Sequence, residues 1–387
     1  MQMLDRQYIK KRKKFSRAIE RGFVSLMNIG RARPLPPPAQ VRSILVIRHN
    51  QLGDAVAASP FIEAIRDLWP QTRVEVLASK SNAEAFSWVH GVDHVHVHPS
   101  GIGRRIGFYL KQRGRHDLIF QTLVDDHYFK RTLAARIMSG SAVLVGRKRG
   151  SPLEELFDVS VFLPVGGYVG KLMSLLTPFC DATHLELLSR HPQHRMTLPS
   201  KHVSTALAKL QALDVRPRSY IALNISARLG FRELGTDQAA RLADVYVRRG
   251  IPVVLLHAPN EQSRASEIKA KVPGITLPGC SSLGEAMAIA QNARLYLGAD
   301  TGTAHFAAAG RTPCVVLFSF QARADIWSPY GVPFVSIQAN PDHPVSDLDH
   351  DLVVEYTDRM LAGEQLIRIV KSTPVGYSLG DVERRTV

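Results

Sequence analysis

From Ser43 to Leu361 the chain alternates short apolar runs with longer stretches whose apolar residues recur at helical spacing. The run from Ser43 to Arg48, Ser-Ile-Leu-Val-Ile-Arg, is almost wholly apolar. That suits a strand covered on both faces in a parallel sheet. A turn follows at Asn50-Gln-Leu-Gly-Asp54, and residues 55–68 read as a helix that ends before Pro70. Further strands are expected at 74–78, 95–98, 118–122 and 142–145, with helical patterns between them. Residues 166–197 are mixed, and a second series starts at Ser219 with strands at 220–224, 253–257, 294–297, 314–318 and 334–337. Strands that alternate with helices build right-handed βαβ units on a parallel sheet. The pattern therefore predicts an α/β protein of two Rossmann-like domains with a cleft between them. The expected divisions are an N-terminal extension over 1–40, a first domain over 41–197, a second over 198–372 and a tail over 373–387. A helix over 349–361 is expected to end the compact part.

Composition narrows the class. A chain of 387 residues with 45% hydrophobic content has room for two ordinary domain cores. Cys180, Cys280 and Cys314 have no short spacing, so neither a disulfide framework nor a zinc site is indicated. No apolar run approaches the roughly 20 residues needed to span a bilayer. The N-terminus lacks the apolar core and small residues of a secretory signal.

The net charge of +15 is concentrated at that end, because residues 1–33 carry ten Lys/Arg against Asp5 and Glu20, a net of +8. Leu4, Tyr8, Phe15, Ile19, Phe23 and Leu26 fall on one helical stripe, opposite Arg6, Lys10, Lys13, Lys14, Arg17 and Arg21. A basic amphipathic helix over 4–26 suits an anionic membrane surface. Docking on the protein's own body and binding of nucleic acid remain alternatives, although nucleic acid requires the charges and not the stripe. Pro34 to Pro38 then forms a stiff spacer.

Several stretches carry candidate chemistry. Asn50, Gly53 and Asp54 follow the first strand, where open α/β sheets bind ligands. Asp54 is either a helix cap or a general base for an acceptor hydroxyl. Asn224, Ser226, Arg228 and Arg232 follow the first strand of the second series, and Glu261 follows the next. Amide, hydroxyl and guanidinium groups there suit phosphate oxygens, and Glu261 suits a ribose hydroxyl pair. The stretch Gly298-Ala-Asp-Thr-Gly-Thr-Ala-His305 joins a strand to a helix packed with small residues. Its unpaired helix-start N–H groups, with Asp300, Thr301, Gly302, Thr303 and His305, suit a diphosphate. Gly101, Gly103 and Gly107 approach a dinucleotide fingerprint, but the third glycine comes one residue late. They read as a loop. His94, His96 and His98 share one strand face without a partner carboxylate or cysteine in the pattern, and a polar strand face is preferred to a metal site.

Taken together these stretches resemble glycosyltransferase family 9, the ADP-heptose:lipopolysaccharide heptosyltransferases. The likeness rests on Ile44 to Arg48 leading into Gly53, Asp54 and Pro60, and on Gly298 to His305. His116 to Ile119, Arg131 to Arg136 and Val145-Gly146 add to it between them. It covers 41–361 and leaves the basic extension outside. The resemblance implies a GT-B fold, with two Rossmann-like domains facing each other across a cleft and the donor held mainly by the second. It implies inverting transfer, without metal or cofactor, from a nucleotide-diphosphate sugar such as ADP-heptose to a lipopolysaccharide core or related glycan. The site would be the inner face of a bacterial inner membrane. Asp54 falls on the family's base, and Asp300, Thr301, Gly302, Thr303 and His305 fall on its donor motif. Two departures stand out: Phe231-Arg232 where the family commonly has Lys followed by an aromatic, and Arg48-His-Asn-Gln51 in place of a Lys- and Ser-rich turn. A family member that uses another nucleotide sugar, and a non-catalytic nucleotide-sugar-binding protein at the membrane, remain alternatives.

Overall fold

The structure, a computed structural model, describes residues 33–49, 51–122, 128–148, 152–164, 166–189 and 193–372, together with Gly22 and Val24. Two compact units form. Residues up to 192, apart from 166–168, make the first, and residues 166–168 with 193 onward make the second.

The first unit holds β1 (Ser43–Arg48), β2 (Arg73–Ala78), β3 (His94–Val97), β4 (Leu118–Gln121), β5 (Val143–Lys148) and β6 (Val159–Phe162). All pair in parallel, in the order β3-β2-β1-β4-β5-β6. This is a Rossmann order, in which the chain reverses direction across the sheet between β1 and β4. Ile44, Leu45, Val46 and Ile47 of the central strand are buried on both faces, which explains a run with no polar alternation. The helix Leu52–Leu68 is buried along nearly its whole length and tolerates Pro60 within it. Proline cannot donate to the carbonyl four residues back. Ser59 Oγ donates to that carbonyl, Val56 O, at 2.8 Å instead.

The second unit holds β7 (Ile221–Asn224), β8 (Val253–Leu256), β9 (Leu295–Ala299), β10 (Cys314–Phe318), β11 (Phe334–Gln338) and β12 (Ile367–Lys371). These are also parallel, in the order β12-β11-β10-β9-β7-β8, with the reversal between β7 and β9. Asn224 pairs with Gly298 across that reversal. A Cβ on Gly298 would lie 2.7 Å from Asn224 O, so only glycine lets the two strand ends approach this closely.

Two expectations need correction. The glycines at 103 and 107 do not form a loop: they lie in the helix Ile102–Gln112, and only Gly101, at φ +85°, is the turn residue before it. Glycine lowers helix propensity, which hid the element. The helix His350–Leu361 does not close the fold, because β12 follows it and pairs with β11. The partly exposed residues of β12 have no continuous apolar signal, and the same holds for the unforeseen edge strand β6.

The expected surface helix over 4–26 lies outside the described residues except for Gly22 and Val24. Val24 is buried in the first unit's core with Leu45, Ile47 and Met138. Arg33 is held nearby: its N–H donates to Asp158 Oδ1 at 3.1 Å and its Nη1 to Ala142 O at 2.8 Å. No helix of the described residues is long and apolar enough to cross a membrane.

One packing constraint is directly testable. A Cβ on Gly146 of β5 would overlap the Phe157 ring, which is itself buried with Leu153 and Leu156. Gly146→Ala is expected to lose about 1–3 kcal/mol of stability. Urea unfolding measures this, and an unchanged midpoint would show that the ring moves aside freely.

Candidate active site

In each unit the candidate residues gather at the carboxyl ends of the strands on either side of the reversal, where open α/β sheets leave a crevice.

In the first unit Arg48 ends β1 with its side chain 0% exposed. A buried guanidinium is tolerable only when paired. It forms an ion pair with Asp54 Oδ1, and its Nη1 donates to Thr122 O, just beyond β4, at 3.3 Å. Asn82 Nδ2 donates to the Arg48 carbonyl at 3.0 Å, tying in the segment after β2. The other oxygen, Asp54 Oδ2, accepts the Gln51 backbone N–H at 2.6 Å. Asp54 therefore caps the helix Leu52–Leu68 and neutralises Arg48 at once. Each of its oxygens shows one partner among the described residues, and a carboxylate oxygen has two lone pairs, so a proton can still be accepted. Gly53 is buried in the first turn of that helix, and Asn50 lies outside the described residues. The His49 ring stacks on His98, with centroids 4.7 Å apart, and His98 Nε2 meets Tyr109 Oη at 2.7 Å. Burial, together with Arg105 and Arg131, holds His98 below the usual histidine range.

In the second unit the helix Gly302–Ala309 begins directly after β9, with Thr301 as its N-cap. The Thr301 side chain makes no capping hydrogen bond to its first N–H groups. These groups have no partner within a helix and carry its positive end, so they remain available to an anion. Thr301, Gly302 and Thr303 are each partly exposed. Thr301 Oγ1 is positioned by Asn224 Nδ2 at 3.2 Å and by Tyr296 Oη at 3.4 Å. Burial pushes the Tyr296 phenol well above its usual value, so it stays a protonated donor. Arg232 Nη1 lies 3.6 Å from Asp300 Oδ2. Its Nε is buried without a hydrogen-bond partner among the described residues. The Arg228 side chain is exposed, and no hydrogen bond or ion pair of its guanidinium is seen among the described residues. His305 is buried, its ring edge-on to Trp327 at 6.4 Å, and Trp327 stacks on Tyr168 at 4.6 Å.

Ser226 and Glu261 meet each other rather than open space. The Ser226 hydroxyl hydrogen-bonds Glu261 Oε2, which also accepts Ala258 N–H at 3.0 Å. Arg264 Nη1 donates to Glu261 Oε1 at 2.9 Å and to Glu233 Oε2 at 3.0 Å. A serine has one O–H to donate, so this pair braces the loops after β7 and β8 as built.

Asn224, Arg232, Asp300, Thr301, Gly302 and Thr303 are thus brought together, with Arg228 on the exposed side of the same loop. Arg48, Tyr296, Arg264 and Trp327 were not singled out as site residues from the sequence. For Arg48 there was a signal: a charge closing a wholly apolar strand must find a partner, and Asp54 is six residues on. Tyr296 reads only as core.

The family model described as glycosyltransferase family 9 (heptosyltransferase) matches residues 167–344, which include the whole Gly298–His305 stretch. Lipopolysaccharide heptosyltransferase 3 of Escherichia coli is 24% identical over 282 residues, or 69% of this chain and 80% of that protein. A glycosyltransferase family 9 structure from Veillonella parvula has a TM-score of 0.70 at 13% identity, covering 84% of this chain and 98% of that one. The E. coli heptosyltransferase WaaC with ADP has a TM-score of 0.62 at 15% identity, covering 84% of this chain and all (100%) of that one. Two parallel Rossmann-like units are the make-up of a GT-B glycosyltransferase, and over residues 167–344 this chain is similar to glycosyltransferase family 9.

Proposed function

We propose that this enzyme moves heptose from ADP-heptose to a lipopolysaccharide core or related surface glycan, with inversion and without a metal. The observation that carries the donor side is the uncapped start of the helix Gly302–Ala309, with the Arg232 guanidinium held beside it by Asp300. A departing nucleoside diphosphate gains negative charge as the glycosidic bond breaks. Fixed donors on Thr301, Gly302 and Thr303, with Arg232 and the exposed Arg228, supply preorganised positive potential for that charge. Asn224 and Tyr296 hold Thr301, and Ser226 and Glu261 keep the neighbouring loops in place. His305 supports the same turn from the buried side. The similarity to lipopolysaccharide heptosyltransferase 3, and to WaaC with ADP, supports the sugar and the nucleotide.

On the acceptor side Asp54 takes the proton as the acceptor oxygen attacks the anomeric carbon from the face opposite the diphosphate. Arg48 compensates the carboxylate and fixes its direction, while Gly53 keeps the approach at the helix start small. Such work at the inner face of the inner membrane would place the enzyme beside a lipid-linked acceptor, with residues 4–26 as one contact to an anionic surface. Use of a different nucleotide sugar is the second reading, favoured by Arg232 standing where a Lys is usual, because a forked guanidinium and a point charge hold phosphates differently.

Calorimetric titration with ADP, UDP and GDP, without added metal, is the first test. Preference for ADP is expected. Preference for UDP or GDP would discard ADP-heptose and retain a transferase, and no binding to any of the three would discard the donor site.

Arg232→Ala is expected to weaken ADP binding about tenfold while adenosine binding is unchanged, since each 1.4 kcal/mol is a factor of ten. Equal loss for both ligands would assign Arg232 to folding.

Asp54→Asn is expected to reduce transfer by about 10²–10⁴ with ADP affinity intact. The same change removes the carboxylate that balances the buried Arg48 charge, at a stability cost of about 3–5 kcal/mol. Arg48→Gln with Asp54→Asn removes that uncompensated charge, so thermal stability should return while turnover does not. Return of both would show that Asp54 is structural.

A further inference from the structure

The helix Ile102–Gln112 packs beside the helix Tyr128–Ser139 and against the sheet edge. Phe108 meets the His96 ring with centroids 5.7 Å apart, Tyr109 Oη bonds His98 at 2.7 Å, and Gln112 Oε1 lies 3.3 Å from His116 Nε2. On its free side Ile102, Ile106 and Leu110 are 81%, 52% and 57% exposed, and Val97 on the preceding strand is 50% exposed. Spacing by four places the three helix residues on one stripe. Single exposed aliphatics are ordinary, but a stripe in helical register is not.

Its polar residues are all of one sign. Arg104, Arg105, Lys111, Arg113 and Arg115 occur without an Asp or Glu between Pro99 and His116. The side chains of Arg104 and Lys111 make no hydrogen bond or ion pair among the described residues. Gly103 and Gly107 weaken the helix relative to alanine. A Cβ at either would meet nothing within 4 Å, so no packing among the described residues requires them.

We propose that this helix is a docking surface for an anionic phospholipid membrane, with Ile102, Ile106 and Leu110 entering the interface and the cations resting on headgroup phosphates. Charge complementarity selects this occupant. Residues 1–33 carry a net +8, so laying them over the stripe would bring like charges together. A second copy of the same face would set five cations against five. Nucleic acid would use the cations and leave the apolar stripe in water. An anionic bilayer satisfies both features of the helix. The unit that touches lipid is then the one that carries Asp54. The inference stands whichever sugar is transferred.

Full-length protein with Ile106→Trp, compared with the unaltered protein as the background for Trp69, Trp88 and Trp327, tests this with two vesicle types. One is phosphatidylcholine and the other contains about one third phosphatidylglycerol (an anionic fraction ample for basic helices). Trp emission from position 106 should shift to the blue, and be quenched by brominated acyl chains, only with the anionic vesicles. Ile102→Ser with Ile106→Ser and Leu110→Ser should weaken vesicle binding at least tenfold and leave ADP affinity and melting temperature unchanged. Vesicle binding with no change at position 106 would overturn the proposal and assign attachment to residues 1–33. A blue-shifted emission before lipid is added would also overturn it: the stripe is then covered by the chain itself, or by a second copy if the shift depends on protein concentration. ADP titration is independent of all these outcomes, so failure here leaves the donor reading in place.

Discussion

The buried pairing of Arg48 with Asp54 is the constraint on which the first unit's active end depends. A fully buried guanidinium is unfavourable unless its charge and donors are met, and here one carboxylate, the Thr122 carbonyl and the strand geometry meet them. The same carboxylate fixes where the helix Leu52–Leu68 begins, because it accepts the Gln51 N–H. The ends of β1, of β4 and of the first helix are thereby held by a single ion pair. A residue held in this way has little freedom to drift, which suits a base whose target must approach along one line. The same arrangement makes fold and chemistry hard to separate by a single substitution.

The second unit solves a different problem with neutral groups. The anion site proposed here needs donors that remain unsatisfied by the protein, yet do not move. Gly298 lets β7 and β9 close on each other, which brings Asn224 within reach of Thr301. Tyr296, protonated and buried, supports the same hydroxyl from below. The helix start is left uncapped, while the adjacent carboxylates are committed elsewhere: Asp300 to Arg232, and Glu261 to Ser226 and Arg264. Negative side chains near the site are thus each paired with a cation or a hydroxyl, and the positive potential of the helix start is not cancelled.

The helix Ile102–Gln112 shows the opposite economy. Phe108, Tyr109 and Gln112 secure it, and the remaining aliphatics and cations face outward. The exposed stripe lies in the same unit as Asp54. In its residues 1–33 the chain carries a second basic segment, and Val24 is already anchored in that unit's core.

Much of this was legible in the chain itself, for physical reasons. A parallel strand buried on both faces must be continuously apolar, so β1, β4, β7, β8, β9 and β10 declared themselves. A strand–turn–helix joint with Asp300, Thr301, Gly302 and Thr303 in sequence is local, so its chemistry is contained within a few residues. Edge strands β6 and β12 and the glycine-bearing helix Ile102–Gln112 were hidden because exposed elements need no apolar period, and glycine lowers local propensity. Only the tertiary structure could decide the partnerships between distant residues. That Arg48 reaches Thr122 across 74 positions, that Ser226 turns to Glu261 across 35, and that Asn224 reaches Thr301 across 77 are consequences of strand order. Strand order brings together side chains that no spacing along the chain connects.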